Sequence, residues 1–298
     1  MKKNEQKLRF ALFGNEFQIK KTASIQKVLS YLSERDADVF IDRPFYDFLE
    51  REQLLDVPVA GILDSDDFMV DYVISMGGDG TFLKTASRVG AKGIPMMGVN
   101  TGRLGFLADV TPDSISHALD HIYRDDYDVE EHSLLEIKTV GGTIEGCPYA
   151  LNDIAILKRD NAAMISIHAK INGEDVVTYQ ADGLIVSTPT GSTAYNLSNG
   201  GPIIAPATHT FCLTPVASHS LNSRPLVISD DCVISLKVES RSHNYLVAID
   251  GRSEKMAETI EVTIQKASHT MKIIKRHPHS YFPTLREKMM WGADMRDN

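Results

Sequence analysis

Cysteine is scarce in this 298-residue chain: Cys147, Cys212 and Cys232 lie far apart and are odd in number. They fit neither a disulfide framework nor a zinc-ligand spacing, and they suit a reducing, cytoplasmic compartment. Apolar runs long enough to span a bilayer are missing, so no membrane partner is expected. The segment Met1-Lys-Lys-Asn-Glu-Gln-Lys7 lacks the apolar core of a signal peptide. A basic excess is lacking as well. Lys and Arg total 31 against 40 Asp and Glu, for a net charge of −9. That balance argues against a nucleic-acid or anionic-membrane surface, although backbone amides and a few cations can still bind phosphates locally. Neither common phosphate fingerprint occurs: there is no Gly-Lys-Ser/Thr P-loop and no Gly-x-Gly-x-x-Gly after a strand. Repeats and low-complexity segments are also absent. With 43% apolar and 24% charged residues, the chain is an ordinary globular protein long enough for two domains or one large one.

What is present is concentrated in a few segments. The richest is 181–202, in which the strand-like Leu184-Ile-Val186 leads into Ser187, Thr188, Thr190, Ser192, Thr193, Tyr195, Asn196 and Ser198, interleaved with Gly191, Gly200 and Gly201. Each buried polar group needs a partner, and a ligand with many polar edges would supply them. A second segment sets the strand-like Asp71–Met76 before Gly77-Gly-Asp-Gly-Thr81 and the helix-compatible Phe82–Arg88. Strand, glycine turn and helix present free amides and a positive dipole end to an anion. Thr81 is the expected helix cap, and Lys84, about one turn in, could screen phosphate charge. Asp79 is out of place beside an anion. It could hold Mg²⁺ through water, accept a proton from an attacking hydroxyl, or make an Asx turn.

Between these segments the signals divide the chain. Residues 8–125 alternate strands (Leu8–Phe13, Val39–Ile41, Tyr72–Met76, Ile94–Val99) with helices (22–34, near Tyr46–Leu55, and 112–124 opened by Pro112). This alternation predicts a Rossmann-like α/β domain, a mostly parallel sheet with flanking helices, over residues 1–125. Ligands of such sheets sit beyond the strand carboxyl ends, where Gly77–Thr81 and Asn100–Phe106 fall. Residues 126–275 predict an all-β domain. Its strands are Leu134–Val140, Ile154–Leu157, Ala163–Ile171, Val176–Tyr179, Leu184–Val186, Cys232–Val238, Tyr245–Ile249 and Thr259–Ile264, with turns at Gly141-Gly142, Asn172-Gly173 and Asp250-Gly251. The tail, 276–298, carries Tyr281, Phe282, Leu285, Met289, Met290 and Trp291 and is expected to pack back on the first domain. His117 and His121 have the spacing of a helical metal pair. No third ligand lies near them in sequence, so no protein metal site is expected.

Gly77-Gly-Asp-Gly-Thr81, Gly98–Leu107, Leu151-Asn-Asp153 and 182–202, in this order and spacing, resemble the NAD kinase family across nearly the whole chain. The resemblance implies ATP-dependent phosphorylation of the 2′-hydroxyl of the adenosine ribose of NAD, giving NADP. It also implies a divalent ion such as Mg²⁺ carried with ATP, a homodimer or homotetramer, and a site in the cleft between an α/β and a β-rich domain. By the same resemblance Asp79 is the motif carboxylate, with base and orienting roles, and its glycine neighbours Gly77, Gly78 and Gly80 let the phosphates lie against the backbone; Thr81 and Lys84, read above as cap and charge screen, complete the expected cofactor-binding loop. Asn152 and Asp153 contact adenosine. Asp182 meets the nicotinamide carboxamide, often across a subunit boundary, and Thr193, Ala194, Tyr195, Asn196, Leu197 and Ser198 wrap the adenine. Phe106, Arg103 and Arg252 are weaker candidates: a core plug and two surface arginines. Two alternatives share these features, a lipid or sphingoid kinase with the same glycine–Asp loop and a non-catalytic NAD-binding sensor.

Overall fold

The computed structural model describes residues 7–15, 22–101, 105–159, 163–275 and 281–290. Arg103 and Trp291 lie outside the described residues. The chain divides into two compact units, residues 1–130 with 272–298 and residues 131–271.

The first unit contains β1 (Arg9–Gly14), α1 (Thr22–Glu34), β2 (Asp38–Asp42), α2 (Arg43–Arg51), β3 (Gly61–Leu63), β4 (Tyr72–Gly77), α3 (Asp79–Val89), β5 (Met96–Asn100) and α4 (Ile115–Arg124). Its strands pair in parallel in the order β3-β2-β1-β4-β5. Ile273, late in the chain, pairs with Met96 on the far side of β5. Strand β4 is buried at all six positions, as an interior parallel strand covered on both faces must be. Helix α1 buries Ile25, Val28, Leu29 and Leu32, a stripe at the 3.6-residue period. These side chains meet Phe10, Leu12, Ile74 and Val99 from the sheet in one core. Helix α2 starts at Arg43, earlier than expected, because Pro44 favours its first turn. Pro112 opens a short 3₁₀ turn, and α4 begins only at Ile115. The expected cap is corrected: Gly78 occupies the N-cap of α3, Asp79 begins the helix, and Thr81 lies inside it.

The second unit is built from β6 (Asp128–Val140) from Glu131 on, β7 (Tyr149–Ala150), β8 (Asp153–Lys158), β9 (Ile165–Ile171), β10 (Glu174–Ala181), β11 (Gly183–Ser187), α5 (Tyr195–Ser198), β12 (Thr210–Val216), β13 (Leu226–Ser229), β14 (Ile234–Glu239), β15 (Asn244–Ile249), β16 (Arg252–Ala257) and β17 (Glu261–Lys275) as far as Met271. One antiparallel sheet runs β13-β12-β11-β8-β15-β16. The other runs β10-β9-β14-β17, with β6 pairing β17 and β7. Their facing side chains, among them Ile154, Val186 and Val247 from one sheet and Ile167, Leu236 and Ile264 from the other, form a single core. The Asn172-Gly173 and Asp250-Gly251 hairpins have φ of 52° and 85°, and 48° and 83°. Two successive positive φ values are what a two-residue hairpin turn requires. The α/β-plus-β prediction holds.

Strands β12, β13 and β16 are not evident from sequence. Pro215 interrupts the first, although it seats opposite Leu184. Strand β13 is mostly exposed, and β16 is largely polar. Strand β17 extends well past Ile264, an extension hidden in the sequence because Lys266–Thr270 breaks the apolar alternation. Beyond it, α6 (Tyr281–Met289) falls in the first unit.

Candidate active site

Gly77 ends β4, and a Cβ there would overlap the Thr81 side chain, so the strand-to-helix turn needs glycine. Beside it opens a hollow of about 630 Å³ lined by Asn15, Asp42, Gly78, Gly80, Thr81 and Lys84, with Arg88 at its wall. The first turn of α3 leaves amides without intrahelical partners. Arg88 is committed to Asp42 at 2.8 Å, to Asp66 and to the Ser65 carbonyl. Burial pushes the Asp42 carboxyl up, against the Arg88 charge holding it down. Lys84 is exposed and makes no ion pair among the described residues, so it is the cation free to meet an anion in this hollow.

Asp79 does more than make an Asx turn. Its Oδ1 accepts the Leu107 and Ala108 amides at 3.1 and 3.0 Å, and its Oδ2 accepts the Phe106 amide at 2.9 Å. The Lys288 ammonium lies 3.6 Å from Oδ2. A Cβ on Gly105 would collide with this carboxylate, which explains the glycine there. Asp79 thus ties the loop after β5 to the start of α3. Both oxygens are engaged, so accepting a proton requires giving up one of these contacts. Phe106, expected as a core plug, is half-buried, with its ring 6.2 Å from that of Tyr281.

In the second unit the Leu151-Asn152-Asp153 loop is clamped from two directions. The Asp250 carboxylate accepts the amides of Leu151, Asn152 and Asp153 at 2.8, 2.8 and 3.1 Å. Buried Thr188 donates its hydroxyl to the Leu151 carbonyl at 2.6 Å, and its amide bonds the Asn152 carbonyl at 2.9 Å. Gly191 lies so close to Asn152 that an added Cβ would overlap the Asn152 carbonyl. Gly191→Ala is expected to cost about 1–3 kcal/mol of stability by overpacking, measurable by calorimetry. The Asn152 amide oxygen is buried with no hydrogen-bond partner among the described residues.

Burial first, and the Asp250 charge second, push the Asp153 carboxyl from its ordinary 3.8 to about 7. Between those values the folded chain keeps a proton that the unfolded chain releases. This group's contribution to stability therefore falls as pH rises from 3.8 to about 7. Asp153→Asn carries no charge at any pH. Its melting temperature should vary less with pH over that window, and at pH 7.5 it should exceed the parent's stability by about 1–3 kcal/mol. Thermal unfolding of both proteins across the window checks this, and parallel curves would contradict it.

The 187–201 segment is less open to ligand than its composition implies. Asn196 is fully buried. Its Nδ2 donates to the Ser192 and Pro202 carbonyls, and its Oδ1 accepts from Thr214. Ser192 is likewise satisfied inside the loop by Ile204. These polar groups partner the protein itself, and the Asn196 side chain shapes the loop from within. Thr193, Ala194 and Leu197 are half-buried, while Tyr195 and Ser198 are exposed, with Tyr195 at 40%. The Tyr195 ring is therefore not a core side chain. Asp182 pairs with Lys158 at 2.8 Å on the wall of an open hollow of about 1140 Å³. Arg252 is spent on the Cys147 carbonyl and Glu254. Sequence reasoning brought out Asn152, Asp153 and Asp182, and named Thr188 as a ligand-facing hydroxyl rather than a brace of the Asn152 loop; it missed Lys158, Asp250 as a clamp, and Lys288. The hairpin-forming Asp250-Gly251 was visible; what its carboxylate would hold was not.

Residues 15–127 match the ATP-NAD kinase N-terminal domain, and residues 151–276 match the ATP-NAD kinase C-terminal domain. The chain belongs to the ATP-NAD kinase family. The NAD kinase of Bacteroides fragilis is 53% identical over 289 residues, covering 97% of this chain and 100% of that protein. The NAD kinase of Porphyromonas gingivalis is 45% identical over 288 residues, covering 97% and 99%. An NAD kinase from Archaeoglobus fulgidus, solved in complex with ATP, superimposes with a TM-score of 0.73 at 26% identity over 95% of this chain and 99% of that one. Yeast NADH kinase, solved with NADH, shares the fold at a TM-score of 0.87 and 20% identity, covering 99% and 91%. The two matched NAD kinase spans hold the glycine loop with Asp79 and the Asn152-Asp153 loop respectively, and α6 lies beyond both.

Proposed function

We propose that this member of the NAD kinase family transfers the γ-phosphoryl group of ATP to the 2′-hydroxyl of the adenosine ribose of NAD, yielding NADP and ADP. The hydroxyl oxygen forms the new O–P bond as the bond from γ-phosphorus to the ADP oxygen breaks, and ADP leaves with that electron pair. The hydroxyl proton goes to Asp79 Oδ2, which surrenders its contact with the Phe106 amide or Lys288. The glycine-loop hollow and Lys84 receive phosphates. Asn152, Asp153 and the 193–198 segment receive the adenosine half, with the Tyr195 ring available for packing against the base. The observation that carries this reading is the buried, unpartnered Asn152 amide oxygen. Its loop has already given three amides to Asp250, so a donor on the ligand, such as an amino or hydroxyl group, completes it.

A divalent ion is part of the reading. Two carboxylates near the glycine loop fit an ion arriving on the triphosphate, because Mg²⁺ takes most of its ligands from phosphates and water and needs one or two carboxylates. Asp42, in the hollow's wall, and Asp79 are the carboxylates nearest the glycine loop. The ion's chemistry is to neutralise charge on the transferring phosphoryl group. A homodimer or homotetramer, with Asp182 at a boundary between copies, completes the proposal; light scattering tests it. No helix among the described residues is long and apolar enough to cross a membrane.

The decisive assay supplies purified protein with NAD, ATP and Mg²⁺ and measures NADP with a specific dehydrogenase. NADP formation is expected. NAD binding without NADP would leave a dinucleotide-binding protein, and binding of neither substrate would overturn the proposal.

A further inference from the structure

Helix α6 lies outside both matched family domains, yet its side chains reach the motif carboxylate. Leu285 anchors it, at 2% exposure. The Lys288 ammonium sits 4.3 Å above the centre of the Phe106 ring and 3.6 Å from Asp79 Oδ2, and its side chain is only 16% exposed. A lysine held over an aromatic face and beside a carboxylate has given up most of its water, an arrangement that fixes its position. The partners lie 209 residues apart, and the remaining contacts of Asp79 among the described residues are backbone amides. Among the described residues Lys288 is therefore the side chain that offsets the Asp79 charge. Without it the carboxylate would repel an incoming triphosphate, and Oδ2, held by the single Phe106 amide, would have more freedom than Oδ1, held by two.

We propose that Lys288 is a positioning residue of the phosphoryl-transfer site, holding Asp79 Oδ2 in place and cancelling its charge toward the triphosphate. This rests on the reading of Asp79 given above. Burial, opposed by the Asp79 charge, brings the Lys288 pKa below its ordinary value, so its charge is lost at a lower pH than that of a free lysine. Among the described residues the charged and titratable groups around it are Asp79 on α3, the Lys275–Asp109 pair behind Phe106, and Tyr281, Arg286 and Glu287 on α6 itself.

The test uses the full chain as wild type, Lys288→Met and Lys288→Arg. Each is assayed for kcat and for KM of NAD and ATP between pH 6 and pH 10, with amide hydrogen exchange of residues 281–289 followed in parallel. Lys288→Met should lower kcat roughly 10- to 100-fold with KM for NAD little changed and α6 still protected. Lys288→Arg should recover most of the rate and move the alkaline fall of kcat to higher pH, since guanidinium keeps its charge. An unchanged kcat in Lys288→Met would overturn the inference. So would a loss that appears only together with unprotected exchange of 281–289, which would make Lys288 an anchor for the helix. If the wild-type protein binds NAD but makes no NADP, the parent reading fails instead.

Discussion

Asp79→Asn should lower kcat for NADP formation by about 10²- to 10⁴-fold while NAD still binds. The carboxylate is the only acid in the first turn of α3, the place that the proposed reaction gives to the sugar hydroxyl and the phosphates. The amide replacement cannot take the hydroxyl's proton. It also changes what Asp79 holds. An Asn oxygen can keep the Leu107 and Ala108 amides, but its NH₂ then faces the Phe106 amide and the Lys288 ammonium, donor against donor. The loop after β5 should therefore loosen, visible as faster amide exchange at Phe106 and Leu107. Calorimetric NAD binding with steady-state kinetics measures the first effect. A variant with near-wild-type kcat would remove Asp79 from the chemistry and leave it only the loop.

Asp250→Ala is the second large effect expected. Three amides would lose a charged acceptor at once. Hydrogen bonds to charged groups are worth more than neutral ones, and orphaned donors carry their own cost, so a loss of about 3–5 kcal/mol in stability is expected. Burial pushes the Asp250 carboxyl up, while the three amides and Arg252 hold it down. The group thus invests its interactions in fixing one loop. Functionally, Asn152 would no longer present its amide oxygen in a fixed place. KM for NAD should rise about 100-fold with a smaller change in kcat, the pattern of lost binding rather than lost chemistry. Denaturant unfolding and NAD titration read the two effects separately. An unchanged KM would show that the Asn152 loop holds its shape without the clamp.

These cases show where sequence reasoning stops. The Gly77-Gly-Asp-Gly-Thr81 loop was legible because strand, glycine turn and helix are local patterns, and the structure keeps them in that order. The Ser/Thr-rich 187–201 segment was legible as special but its polar groups were assigned too freely to ligand. Thr188, Ser192 and Asn196 satisfy one another's loop and the Asn152 loop instead, because a tight turn carrying buried backbone must find internal partners. Composition states how many hydroxyls a segment has, not which way they point.

By itself the sequence determined the family, the α/β-then-β order of the chain, the glycine turns and the hairpins at Asn172-Gly173 and Asp250-Gly251. The turns, hairpins and element order depend on residues within a few positions of one another, through apolar periodicity and backbone freedom at glycine, and the family on the order and spacing of four such local motifs along the chain. Only the tertiary structure decided that Asp79 braces Phe106–Ala108, that Asp250 holds a loop about a hundred residues earlier, and that Lys288 reaches Asp79 from the last helix. The reason is physical. A carboxylate's partner is whichever donor the fold brings within three to four ångströms, and across such separations in the chain no local pattern records that meeting.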